Sequence, residues 1–193
     1  MSNSISSDNN IYFTSDQHFF HCNILKYCNR PFSNVEEMNE TIITNWNNVV
    51  EKGDIVYNLG DMFLGKKEDA EKILKRLNGQ IHFIQGNHDS IAEQMKTKFA
   101  SWGNLREIKI KDEDAKDGLQ HITLCHYAMR TWHRQNIQSF HLYGHSHQAL
   151  IPVSGQLSFD VGVDGWNYTP ISYQQVKEKM KQIKETANIS TSS

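Results

Sequence analysis

Seven side chains capable of binding metal stand in this chain just after short apolar runs. Ile11–Ser15 leads into Asp16 and His18, and Ile55–Leu59 into Gly60 and Asp61. Ile81–Gln85 leads into Gly86-Asn87-His88-Asp89, Ile122–Cys125 into His126, and Phe140–Tyr143 into Gly144-His145-Ser146-His147. Asp16, His18, Asp61, Asn87, His126, His145 and His147 offer oxygen or imidazole, never thiolate. Such donors suit Mn, Fe, Co, Ni or Zn rather than Cu(I) or an iron–sulfur cluster. The set is too large for one tetrahedral ion, but it suits two ions that share a carboxylate. Two divalent ions about 3.5–4 Å apart can clamp a phosphate and generate hydroxide at neutral pH. Phosphate esters hydrolyse very slowly unaided, and neutralising charge on the phosphoryl oxygens is the obvious source of acceleration.

No single motif carries this reading. Asp16-Gln17-His18 recurs by chance, and Gly60-Asp61 alone is a turn signal. Gly86-Asn87-His88-Asp89 says more, because a turn explains its Gly and Asn but not its His. His145 and His147, one residue apart on an extended segment, are expected to point the same way. The weight lies in the recurrence, since each block follows an apolar strand. Polar groups just past the carboxyl ends of strands occupy the ligand position of open α/β sheets.

The elements that must position these groups can be read from periodicity. The apolar runs ending in Gly or polar residues are strands. Asp16–Phe32 has no steady period and reads as a loop with one helical turn near Ile24–Tyr27. Ser33 faces Glu36 in a capping-box pattern, and Val35, Met38, Ile42, Trp46 and Val49 continue as a helical stripe that Gly53 stops. Lys67–Leu77 and Ile91–Trp102 read as further helices. Leu105–Ile110 alternates as a half-exposed strand, and Lys111–Gly118 is a charged hairpin loop. Ile151–Gly155 and Leu157–Gly162 resemble a strand, turn, strand unit. Ser172 and Gln175 open a last helix through Val176, Met180 and Ile183. A β-α-β-α-β first half and a strand-rich second half predict an α/β fold of two packed sheets with helices outside.

At 193 residues, 38% hydrophobic and 22% charged, the chain suits one soluble domain. Its expected extent is 11–185, between a flexible Ser/Asn-rich leader, 1–10, and a flexible tail, 186–193. The formal net charge of −2 gives no polyanion-binding signal. A pair of bound divalent cations would add about four positive charges locally, which is how a near-neutral protein could hold a phosphate. Cys22, Cys28 and Cys125 have no zinc-finger spacing and no secretory leader precedes them, so reduced thiols in a cytoplasmic setting are expected. No apolar run is long enough to span a bilayer.

The ordered set Asp16-x-His18, Gly60-Asp61, Gly86-Asn87-His88-Asp89, His126 and Gly144-His145-x-His147 resembles the signature of the calcineurin-like metallophosphoesterases. The resemblance spans Asp16 to His147 and implies a four-layer αββα sandwich of two mixed β-sheets flanked by helices. It implies a first divalent ion on Asp16, His18, Asp61 and His147, and a second on Asp61, Asn87, His126 and His145, with Asp61 as bridge. Manganese is the first choice of metal, with Fe, Zn, Ni or Co as alternatives. A metal-bridging hydroxide would attack phosphorus in line, without a phosphoenzyme. His88, not a ligand, would protonate the leaving oxygen or stabilise the transition state, and Asp89 would orient and tune His88.

Phe20 stands where many members carry glycine, which narrows the cleft. His21 is a candidate for the phosphate or for a supporting role, against a surface loop histidine. Arg30 is a candidate guanidinium fork for a substrate phosphate, against a surface arginine ahead of the helix. Trp166 and Tyr168 read as packing before base stacking, and Cys125 as a buried thiol. His82, His121, His133 and His141 read as structural. The substrate is expected to be a phosphorylated small molecule or nucleotide, as monoester or diester. A nuclease is disfavoured by the lack of a basic stripe, and a non-catalytic module by the intact ligand set.

Overall fold

In the computed structural model, which describes residues 10–190, nine strands make two mixed sheets. The strands are β1 (Ile11–Thr14), β2 (Ile55–Asn58), β3 (Gln80–Ile84), β4 (Ser101–Gly103), β5 (Leu105–Lys111), β6 (Leu119–Cys125), β7 (Phe140–Tyr143), β8 (Ser158–Asp160) and β9 (Ile171–Ser172). The helices are α1 (Ile24–Tyr27), α2 (Val35–Val49), α3 (Lys67–Leu74), α4 (Ser90–Glu93) and α5 (Tyr173–Ser190). The first sheet runs β4-β3-β2-β1-β9, parallel except for β9. The second runs β5-β6-β7-β8, parallel except for β5.

Side-chain alternation builds the sandwich. Phe13, Ile55, Tyr57 and Ile84 face Ile108, Ile122, Leu124, Phe140 and Leu142 in one buried cluster, which Val176 and Met180 of α5 join. Val56, Ile81 and Phe83 point the other way, onto Met38, Ile42 and Trp46 of α2 and Ile73 of α3. The α2 stripe is therefore core, as its period requires.

Parallel pairing brings the carboxyl ends of β1, β2 and β3 to one edge, and those of β6, β7 and β8 to a matching edge. An isolated parallel bridge, Ser15 to Gly162, stitches the two edges together, and Val163 N–H donates to the Ser15 carbonyl at 3.1 Å. The strand ends that carry the predicted ligands thus meet across the seam between the sheets.

Several local expectations shift. The N-cap of α2 is Asn34, whose side chain accepts from Glu37 N–H, while the Glu37 carboxylate takes Ser33 N–H at 2.8 Å. The capping box therefore lies one residue later than Ser33/Glu36. Ser172 and Gln175 cap each other as expected. The helix expected over Ile91–Trp102 breaks after α4 into a 3-10 turn, Lys96–Lys98, and then β4. Pairing of β4 with β3, and stacking of Trp102 on Phe83 at 4.8 Å, override helical propensity there. Ile151-Pro152-Val153 forms no strand and Ile151 is 90% exposed; Pro152 has no N–H to give a ladder. The last helix continues through Ser190, past the expected start of the tail at Thr186. Residues 1–9 of the anticipated leader and 191–193 lie outside the described residues. No helix among the described residues is long and apolar enough to cross a membrane.

Candidate metal centre

The predicted ligands assemble into two clusters. Donor atoms of Asp16, His18 and His147 lie within 4.8 Å of one another, as do those of Asp61, His126 and His145. Asp61 stands between them, with Oδ2 3.8 Å from Nε2 of His18 and 3.5 Å from Nε2 of His126. Its other oxygen accepts the His88 backbone N–H at 2.8 Å. Asn87 joins the second cluster, with Oδ1 3.1 Å from Nε2 of His126.

The backbone at these positions is unusual. Asp16, His18, Asp61, His145 and His147 all adopt positive φ, between 45° and 67°. Such strain gathers at functional sites and persists only where surrounding bonds over-determine it. Here Asp16 N–H donates to the Gly60 carbonyl and His18 N–H to the Asp61 carbonyl, at 2.9 and 3.0 Å. Both Asp16 oxygens take the His145 N–H, and Ser15 Oγ adds a bond at 2.6 Å. Left-handed turns at His145 and His147 send the two rings to different clusters. They do not point the same way as an extended segment would require. Phe20 keeps the left-handed conformation too, with φ 67°, and its N–H is held by Asn39.

The donor chemistry fits divalent cations. Nδ1 of His126 is 2.7 Å from the Leu59 carbonyl and so carries the proton. Its Nε2 lone pair then faces the Asn87 and Asp61 oxygens, an arrangement that calls for a shared proton or metal ion. Buried ring nitrogens normally have partners, yet both nitrogens of His18 and Nδ1 of His21 have none. Burial drives His18 down to about 3, so its ring stays neutral and able to ligate. Burial pushes the Asp16 carboxyl up to about 7, the behaviour of a carboxylate that wants a cation beside it. Burial also raises Asp61, but bonds from His126 and the His88 N–H outweigh it and bring that group to about 2.

Close packing around Asp61 and Asp16 depends on two glycines. A Cβ on Gly86 would overlap Asp61 Oδ1 and come within 2.8 Å of His126 Cε1. A Cβ on Gly144 would overlap Ser15 Oγ and lie 2.5 Å from Asp16 Oδ2.

Two candidate residues, Asp89 and Arg30, take up different positions from those expected. Asp89 does not partner the His88 ring. Its carboxylate is buried and accepts the backbone N–H groups of Asp61, Gly86 and Met62 at 2.8, 2.6 and 3.0 Å. It clasps the β2 and β3 loops together, because three converging N–H groups in a buried turn need an acceptor. Arg30 is neither a phosphate fork nor a surface residue. Only 4% exposed, it donates Nε and one terminal nitrogen to Asp164, and its remaining N–H groups to the Asp16 and Gln17 carbonyls and the Met38 sulfur. All five donors are spent. His21 is half-buried, its ring 5.3 Å from His18 and 6.4 Å from His88. His88 is exposed at the mouth, with its ring 5.7 Å from His18.

Two residues at the site were not singled out from the sequence. Asp164 accepts from Nδ1 of His147 at 2.7 Å. Cys28 has its thiol within 4.8 Å of the His147 and Asp164 donor atoms, and burial pushes that thiol up to about 11. Nothing in the sequence pairs Asp164 with Arg30, 134 residues away. Trp166 and Tyr168 pack, against Phe159 and Phe32. Cys125 is half-buried rather than buried.

Comparison with known proteins agrees with this geometry. The profile of the calcineurin-like phosphoesterase superfamily domain matches residues 10–166. An uncharacterized protein of Methanocaldococcus jannaschii is 38% identical over 186 residues, covering 93% of this chain and 96% of its own. The Gene 66 protein of Mycobacterium phage L5 is 24% identical over 208 residues, covering 94% and 99%. The crystal structure of a protein of unknown function from Aquifex aeolicus shares the fold, with a TM-score of 0.66 at 23% identity over 89% of this chain and 99% of that one. With its ordered motifs, its two mixed sheets and its paired ligand clusters, the chain belongs to the calcineurin-like phosphoesterase superfamily.

Proposed function

We propose that this chain hydrolyses a phosphoester of small or nucleotide-like size with two divalent transition-metal ions, manganese first among them. Asp16, His18 and His147 would hold one ion, Asn87, His126 and His145 the other, and Asp61 both. When bound, the ions supply charge neutralisation for the phosphoryl oxygens and make a water acidic enough to attack.

The protein's own groups do the rest. Asp61 sets the spacing of the two clusters, because one carboxylate oxygen faces a histidine of each. His88 stands at the mouth and is not part of either cluster, so its ring is free to hand a proton to the leaving oxygen as general acid. His21, behind His18 and beside His88, supports the same face. Asp89 and Arg30 act through backbone and carboxylate partners, holding the ligand loops in place. The free thiols Cys22, Cys28 and Cys125 suit a reducing, cytoplasmic setting.

The observation that carries the proposal is the position of Asp61 Oδ2 between Nε2 of His18 and Nε2 of His126. The test is metal content by mass spectrometry, followed by turnover of an aryl phosphomonoester and an aryl phosphodiester with added Mn²⁺. Two bound ions and hydrolysis of either ester are expected. Two bound ions with no hydrolysis of either would leave a binding module instead.

A further inference from the structure

Among the described residues, Tyr27 and Tyr127, at 73% and 47% exposure, are the tyrosine, phenylalanine or tryptophan side chains left open to solvent. Both stand at the rim of the metal centre. The Tyr27 ring meets His21 edge-on at 6.0 Å, and His21 lies 6.4 Å from His88. The Tyr127 ring meets His145 at 4.8 Å and His126 at 5.0 Å, also edge-on, and its hydroxyl is 3.4 Å from Asn87 Oδ1. One ring therefore flanks the His88 side of the centre and the other flanks the second cluster. Arg30, the guanidinium nearest the loop that bears the first ligands, has no donor left for a further phosphate.

We propose that Tyr27 and Tyr127 are two stacking walls, and that the substrate is a phosphodiester carrying a flat aromatic or heteroaromatic group on each side of phosphorus. This rests on the hydrolase reading above and names its substrate class. Tyrosine is suited to the task, since it is large, rigid and costs little side-chain entropy to hold. Stacking on such a ring tolerates many flat groups because each has a π-face. The position of His88 sets the direction of the reaction. Water adds its oxygen to phosphorus, and the P–O bond to the group beside Tyr27 breaks. That oxygen takes the His88 proton and leaves as an alcohol. The phosphomonoester that remains keeps its ring against Tyr127, and the proton lost by the water returns through solvent to His88.

The experiment uses the full chain with Mn²⁺ and two diesters that share a p-nitrophenyl leaving group. One carries phenyl as the retained substituent and the other methyl. The wild type is expected to favour phenyl over methyl by about tenfold in kcat/KM, the usual scale of one stacking contact. Tyr127→Ala should bring that ratio close to one, and Tyr127→Phe should restore it. Tyr27→Ala should lower kcat/KM for both diesters by about tenfold, because both present a flat leaving group, with recovery in Tyr27→Phe. Metal content is measured on every variant and should stay at the wild-type value. A phenyl-to-methyl ratio that survives Tyr127→Ala overturns the proposal, as does a Tyr27→Ala enzyme equal to wild type. Loss of bound metal in either variant also overturns it, because the ring would then be acting on the ligands. A wild-type chain that binds two ions and cleaves neither diester nor an aryl monoester brings down the hydrolase reading itself, a result distinct from any change in ratio.

Discussion

Asp164 accepts a hydrogen bond from Nδ1 of His147 at 2.7 Å, so Nε2 of that ring carries the lone pair. The same carboxylate is gripped by Arg30 through Nε and a terminal nitrogen, both at 2.8 Å. Arg30 also holds the Asp16 and Gln17 carbonyls. One buried guanidinium therefore ties the strained Asp16–His18 loop of the first sheet to the His147 loop of the second. Partners of this kind fix the tautomer and orientation of a metal-binding histidine.

From this follows a selective effect on one ion. Asp164→Asn should weaken one of two Mn²⁺-binding events by about 10–100-fold and leave the other near wild type, read by titration calorimetry. Arg30→Met should also destabilise the chain by about 3–5 kcal/mol in urea, since it strands Asp164 without its cation. Two unchanged binding events in Asp164→Asn would mean that His147 is placed without its carboxylate.

His88 and Asp61 should separate chemistry from metal binding. His88→Ala removes a ring that belongs to neither cluster, so it should keep its metal and lose about 10²–10⁴-fold in turnover. Asp61→Asn removes the negative charge that faces His18 and His126, and should lose both metal and activity. Unchanged metal occupancy in Asp61→Asn would contradict its place as the shared ligand.

The two glycines make a paired prediction. Gly86→Ala pushes on Asp61 and His126, so it should weaken both ions; Gly144→Ala pushes on Ser15 and Asp16, so it should weaken the first ion most. Each should also cost about 1–3 kcal/mol of stability, because the facing atoms belong to tightly held groups. Gly103→Ala is the control, since its added Cβ would meet only the Leu105 carbonyl at 3.7 Å. Its stability should lie within about 0.5 kcal/mol of wild type.

Much of the clustering was legible in the sequence because each candidate ligand lies within four residues of the end of a strand, and parallel strands deliver their ends to one edge. The split of His145 and His147 between clusters came from the family resemblance. Strand alternation misled there, because φ values of 67° and 45° break the extended geometry that the argument assumed. Asp89 and Arg30 were misjudged for a different reason. Their partners are backbone groups and a carboxylate from remote loops, and sequence carries no local record of an acceptor needed 28 or 134 residues away. The helix expected over Ile91–Trp102 overlaps β4 at Ser101 and Trp102, because only pairing with β3, a contact from outside the segment, decides for strand there.

His141 offers a test of the fold that leaves the ligands alone. It is fully buried on β7. Nδ1 lies 3.0 Å from the Thr123 carbonyl, and Nε2 accepts the Met129 N–H at 3.0 Å. Those partners fix the neutral tautomer, because a second proton on Nε2 would break the Met129 bond and charge a buried ring. Burial holds its pKa below the ordinary 6.5. The unfolded chain therefore takes up a proton below 6.5 that the folded chain refuses, and stability must fall as pH drops through that value. Each unit below it costs at most about 1.4 kcal/mol. Between about pH 7.5 and about pH 5.5, metal-free wild type should lose more stability than His141→Gln, by up to about 1.4 kcal/mol, in urea titrations at each pH. Parallel losses in the two proteins would show that the imidazole takes up its proton as readily folded as unfolded, and that the Met129 N–H does not depend on the bare nitrogen.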